Sequence, residues 1–258
     1  GSKSTPTGQP DTTPDASTLS GLNVPSDSND TGGTDTGVAS GLSTATNEQF
    51  VKQQYLDFLG REPDDGGLSY WVTDLDNGTI QRSDVVNFFV FSDEFQDKVA
   101  PVSRLYQAYF LRIPDTSGLS YWINEKLNGT SLDTISEAFA GSSEFQDRYD
   151  SLDNSAYTSL VYNNVLGRAP DQDGLDFWTN SLNAGASRGS MMTGFSESIE
   201  YKDTSLNQIR VIAFYYGMLR RAPDQAGFDF WVGVLNNGGS ALDLINGFLD
   251  ASEYQARF

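Results

Sequence analysis

The residues whose spacing could do chemistry are acids: Asp64 beside Asp65, and Asp171 two positions before Asp173. Adjacent carboxylates in a loop suit a hard cation such as calcium, so these four are the candidate metal ligands. Neither loop has the alternating Asp/Asn ladder and closing Glu of an EF-hand, so weak calcium binding is the most they predict, with no other cofactor. The 258 residues contain no His and no Cys, which removes ordinary zinc, copper and haem sites, imidazole- or thiol-based nucleophilic catalysis, and disulfides. Any enzyme built here would run on carboxylates, hydroxyls, Lys, Arg or Tyr. A pair of acids for glycoside hydrolysis is easily drawn from 35 Asp and Glu, so the presence of such pairs discriminates nothing.

The net charge of −19 and a pI near 4.1 make nucleic acid an unfit partner, because the phosphate attraction that drives such binding would be repulsive. The sequence has no apolar run of membrane-spanning length. Cations, neutral glycans and other proteins remain as partners.

The elements that must position these residues come as repeats. Asp64, Asp115, Asp171 and Asp224 each stand seven residues before a Trp, namely Trp71, Trp122, Trp178 and Trp231. Around them the frame Arg-x-Pro-Asp-x-x-Gly-[Leu/Phe]-x-[Tyr/Phe]-Trp recurs without a gap, starting at Arg61, Arg112, Arg168 and Arg221. Six residues before each Arg is a Tyr (Tyr55, Tyr106, Tyr162, Tyr215), and seven after each Trp is a Gly (Gly78, Gly129, Gly185, Gly238). Each unit then carries a Phe-x5-[Phe/Tyr] pair, from Phe89/Phe95 to Phe248/Tyr254. These marks divide the chain into repeats over 48–99, 100–151, 152–205 and 206–258.

The punctuation is helical. Each Pro-Asp stops one helix and offers an N-cap to the next, each Gly stops that one, and Ser131, Ser187 and Ser240 can cap a third. The spacing predicts an all-α tandem repeat of about three helices per unit, twelve in all, each unit burying a face against its neighbour. The four Trp rings are expected in the core. Each motif Arg is expected to hold helix carbonyls or a carboxylate such as Glu94, Glu144, Glu200 or Glu253. Residues 1–47 differ: they hold no aromatic residue and are mostly Ser, Thr, Gly, Pro, Asn and Asp, which predicts a disordered spacer.

The unit from Leu59-Gly60-Arg61-Glu62-Pro63-Asp64 through Tyr70-Trp71 to Ser92-Asp93-Glu94-Phe95 resembles the bacterial family called domain of unknown function number 4214, in four tandem copies over 48–258. The resemblance implies tandem use in exported or cell-surface proteins. The unit is also distantly similar to phycobilisome linker domains, which implies a role in organising other proteins.

Catalysis needs one asymmetric site, whereas nearly every notable residue here occurs four times. The expected function is therefore a non-enzymatic, secreted or cell-surface scaffold or adhesion protein, tethered through its N-terminal spacer and binding glycan or protein partners. The alternatives are a carboxylate-based polysaccharide-active enzyme and an intracellular assembly linker.

Overall fold

The computed structural model describes residues 45–258, and every regular element among them is helical. The spacer expected over 1–47 lies outside the described residues except at its end, where Ala45 is buried and Thr46 caps the first helix. Repeat 1 comprises α1 (Asn47–Gln54), which continues as a π-helical turn over Tyr55–Leu59, then α2 (Asp65–Asp76), α3 (Arg82–Phe91) and α4 (Asp93–Lys98). Repeat 2 comprises α5 (Ala100–Phe110), α6 (Thr116–Leu127), α7 (Leu132–Ala140) and α8 (Ser143–Tyr149). Repeat 3 has α9 (Asn154–Leu166), α10 (Gln172–Asn183) and α11 (Arg188–Ser196). The next helix, α12 (Ile199–Phe214), enters repeat 4 and continues as a second π-helical turn over Tyr215–Leu219. The chain then runs through α13 (Gln225–Asn236), α14 (Ala241–Asp250) and α15 (Ser252–Gln255).

The described residues therefore hold fifteen α-helices and two π-helical turns, against the twelve helices expected. The extra helix arises at a serine between the paired aromatics. Ser92, Ser142 and Ser198 are extended and accept hydrogen bonds from the amides of Phe95, Phe145 and Tyr201 at 3.3, 3.3 and 3.1 Å, which starts a new helix. In repeat 3 the new helix does not stop, so the expected boundary at 205/206 falls inside α12. In repeat 4 Ala251 replaces the serine, offers no side-chain cap, and is followed by a helix of only four residues.

The units do not merely stack on sequence neighbours. Helix α3 of repeat 1 packs against α14 of repeat 4, and α7 of repeat 2 against α11 of repeat 3. The two π-helical turns also meet, with Phe58 set against Gly217 so closely that a Cβ there would overlap the ring. Because α4 packs on α5 and α12 joins repeats 3 and 4, the four units close on themselves.

Alternate repeats share features that their neighbours lack. In repeats 1 and 3, Arg82 and Arg188 open the third helix, lie 4.9 and 4.4 Å over the Phe50 and Tyr157 rings, and donate to backbone carbonyls of Ala45 and Tyr149. In repeats 2 and 4, Arg148 and Arg257 reach back to the matching carbonyls of Tyr109 and Met218. The same two repeats end their first helices on left-handed residues that are not glycine, Leu111 (φ 55°) and Arg220 (φ 57°), where repeats 1 and 3 have Gly60 and Gly167. The fold is thus a pair of two-repeat units, 1–2 and 3–4, joined crosswise through their third helices.

Those crossings form the core. Val85, Val86, Ile135, Met191, Met192, Leu244 and Ile245 are all fully buried, each such side chain contributing about 1.5–3 kcal/mol. Close approach of α7 to α11 depends on small residues: the Ser136 hydroxyl donates to the Gly189 carbonyl at 2.7 Å. The Trp expectation holds for two of the four. Trp71 and Trp231 are buried, whereas Trp122 and Trp178 are half-buried at the edge of the core. Phe88 lies 4.7 Å from Trp71 and covers it, and the matching positions hold Ala138 in repeat 2 and Gly194 in repeat 3; repeat 4 has Gly247 there, so the burial of Trp231 does not come from this position.

Candidate binding surfaces

The repeated motif builds one network four times. Asp64, Asp115, Asp171 and Asp224 accept hydrogen bonds from the amides of Gly67, Gly118, Gly174 and Gly227 at 2.7–2.8 Å, each capping the helix that carries the Trp. Those glycines are required by their neighbours, since a Cβ at Gly67 or Gly174 would overlap the hydroxyl of Tyr55 or Tyr162. Arg61, Arg112 and Arg168 form two-pronged pairs with Glu94, Glu144 and Glu200, and Arg221 pairs with Glu253. Each guanidinium also lies 5.0–5.4 Å over the motif Tyr ring. The bonds to arginine hold the Glu94 and Glu200 carboxyls below their ordinary range.

In repeat 2 the network includes a bond from the Tyr106 hydroxyl to Asp115 at 2.6 Å. That bond, with the Gly118 amide, pulls the Asp115 carboxyl down to about 2, while burial and the same carboxylate push the Tyr106 phenol up to about 12. All these groups are occupied with one another, so the motif positions helices and leaves little for a ligand.

The four candidate metal ligands divide. Asp64 and Asp171 each commit an oxygen to capping, while Asp65 and Asp173 stand exposed in the first turns of α2 and α10. Among the described residues no three acids come together as a metal-binding group.

What the motif does present to solvent is the aromatic residue just before each Trp. Tyr70, Tyr121 and Phe177 are 44, 56 and 63% exposed, and Phe230 is half-buried. Each ring is held edge-on to its Trp with centroids 4.9–5.1 Å apart, which fixes an otherwise mobile side chain. The period of the frame marks these positions, but their exposure depends on the angle at which the second helix lies on the core, which spacing alone does not give.

Two clefts lie where three repeats meet. One, of about 320 Å³, sits between repeats 1, 2 and 4 and is lined by Asp57, Thr116, Ile123, Tyr216 and Arg220 among others. Asp57 is paired there with Arg220 and Arg257, and burial pushes its carboxyl up against the pull of those two cations. The other, of about 310 Å³, sits between repeats 2, 3 and 4 at the matching place. Its lining includes Gln107, Leu111, Asn164, Gln208, Gln225 and Phe228. Neither Asp57 nor Gln107 belongs to the repeated frame, so periodicity gives no signal for either.

The helical units and their four-fold motif define an all-α tandem-repeat protein, most of whose recurring polar residues secure its own helices. The model of the family described as domain of unknown function DUF4214 matches residues 38–99, 136–205 and 207–258, and the chain belongs to that family. Residues 100–135 fall between the matched segments, although they carry the same frame and helices as the other units. No curated protein and no solved structure matches the chain significantly.

Proposed function

We propose that the chain is a non-enzymatic scaffold of the cell surface or extracellular space that binds glycan through several repeats at once. The observation that carries this reading is the exposed aromatic residue held against Trp in successive repeats, at Tyr70, Tyr121 and Phe177. A rigid ring open to water offers its face to the C–H side of a sugar at little cost in side-chain entropy. Three such rings on one closed framework add their weak affinities as avidity, which raises apparent binding by about 10²–10⁴ when the ligand spans them. The strongly negative charge suits a neutral glycan and keeps the protein from anionic polymers. The Ser/Thr/Gly-rich stretch before residue 48 has the composition of a tether that would hold the repeats away from an anchor.

The test is a glycan array probed with the full chain and with the Tyr70→Ala/Tyr121→Ala/Phe177→Ala triple variant, each with and without calcium. Binding that falls more than tenfold in the triple variant, and by a smaller factor in each single one, supports the reading. Array binding that the triple substitution leaves intact refutes the aromatic platform.

A further inference from the structure

We propose that the cleft between repeats 2, 3 and 4 is a distinct binding site for one neutral mono- or disaccharide. It breaks the repeat symmetry, as a specific site should. At the position after the motif Tyr, repeats 1, 3 and 4 carry Leu56, Asn163 and Tyr216, and only repeat 2 carries Gln107. In the matching cleft the longer Tyr216 crosses the junction and donates its hydroxyl to the Pro114 carbonyl at 2.6 Å, and Asp57 pairs with Arg220. Gln107 makes no such crossing. Its side chain is more than nine-tenths buried in the cleft wall, and its Oε1 has no hydrogen-bond partner. A buried amide oxygen left unpaired is costly, and a ligand donor would remove that cost after a rotation about the last side-chain bond.

The rest of the lining asks for the same chemistry. Asn164 and Gln225 each donate one amide N–H, to the Tyr149 hydroxyl and to Asp229, at 2.9 and 2.8 Å, which leaves each a carbonyl oxygen to accept and one N–H to donate. Amide acceptors and donors side by side around a small space select a ligand rich in hydroxyls, which both donate and accept. Arg112 in the wall, held by Glu144, opposes a metal cation, and the acidic chain opposes an anion. Phe228 and Leu111 supply an apolar wall for the C–H face of a pyranose. Leu111 holds a left-handed conformation (φ 55°) where repeats 1 and 3 have glycine, and such retained strain clusters at ligand sites. The volume of about 310 Å³ lies at the small end for ligand pockets, about 300–1,000 Å³, so it fits one or two sugar units and not a chain.

The experiment is an NMR titration of the full chain with glucose, N-acetylglucosamine, cellobiose and maltose, reading the Gln107 side-chain amide, which is assigned by its loss in Gln107→Leu. The expected result is that at least one sugar shifts that amide with a dissociation constant of about 1 mM or tighter. Affinity should then fall at least tenfold in Gln208→Leu, read at the same amide, and in Gln107→Leu, read at the side-chain amides of Asn164 and Gln225 in the same cleft. The Gln208 variant serves if the Gln107 variant fails to fold. Cleft binding should persist in the Tyr70→Ala/Tyr121→Ala/Phe177→Ala variant, which separates this site from the surface platform. If no sugar moves the Gln107 amide, or if the shifts survive Gln208→Leu and vanish with the aromatic triple, the cleft site is wrong.

Discussion

Asp57 and Arg257 stand 200 positions apart and meet in an ion pair in which one nitrogen, Nη2 of the arginine, donates to both carboxylate oxygens at 2.8 and 2.7 Å. The carboxylate is fully buried, and Arg220 and Gln53 complete its shell. This one acid joins the first repeat to the last. Asp57→Ala should cost about 3 kcal/mol, the low end for breaking a buried pair, because Arg257 keeps its bonds to the Gly217 and Met218 carbonyls and Arg220 is half exposed. Urea denaturation measures it, and a loss within about 0.5 kcal/mol would mean that the closure does not depend on this pair.

Closure also changes what a truncation does. Removing residues 206–258 strips α3 of its partner α14 and cuts α12 in mid-helix, uncovering Val85, Val86 and Phe89. The shortened protein should aggregate or lose several degrees of melting temperature, whereas removing residues 1–44 should leave melting unchanged. Light scattering and calorimetry on both deletions decide the matter. A soluble, cooperatively melting 45–205 fragment would show that repeats 1 and 4 are energetically independent.

The repeated part of this architecture was legible because it is local. The Asp caps, glycine stops and Arg–Glu pairs follow from residues no more than about one unit apart, and each is written four times. The crosswise closure was not legible, since Asp57 and Gly217 have no counterpart in the other units, and Arg257, which matches Arg148 of repeat 2, carries nothing in its spacing that points to an acid 200 positions away. The serine helix is hidden for a different reason: Ser92, Ser142 and Ser198 sit between paired aromatics whose spacing is compatible with one continuous helix, and only their extended backbone shows that another helix begins there. The two clefts depend on where repeats remote in sequence meet, so no local pattern marks Gln107 or Leu111.

The tryptophans should separate into two classes. Trp71→Ala should cost about 3–5 kcal/mol as a large core truncation, and Trp231→Ala a similar amount. Trp122→Ala and Trp178→Ala, which empty half-buried sites, should cost about 2 kcal/mol. Acrylamide quenching of single-Trp variants supplies an independent reading, with quenching at Trp122 and Trp178 well above that at Trp71 and Trp231. Equal quenching at all four would contradict the division into two buried and two half-buried rings.

Asp115 should give the protein part of its acid sensitivity. Its folded carboxyl is held at about 2 against an ordinary value of 3.8, so its contribution to stability is fully present above the unfolded value. That contribution is lost as pH falls through the interval between the two. Glu94 and Glu200 are shifted in the same direction by their arginines and add to the same acid limb. Asp115→Asn should flatten stability between pH 4 and pH 2 relative to the parent, and Tyr106→Phe should do so partially by removing the 2.6 Å bond. An unchanged acid limb in both variants would sink the assignment.

Calcium should act only weakly through the acidic loops. Asp65 and Asp173 are exposed beside caps that already use Asp64 and Asp171, and no third acid joins them among the described residues. Sub-millimolar to millimolar affinity is therefore the expected range, and at ten times the dissociation constant mass action would add about 1.4 kcal/mol per site, seen as a melting temperature that climbs with calcium concentration. Asp65→Asn with Asp173→Asn should diminish that climb with little effect on the metal-free protein. Asp64→Ala and Asp171→Ala should instead cost about 0.5–2 kcal/mol each through lost capping, with or without calcium. Stoichiometric binding at micromolar calcium, measured by calorimetry, would mean that these loops are ligands first and caps second, and would recast the protein as a calcium-dependent surface module.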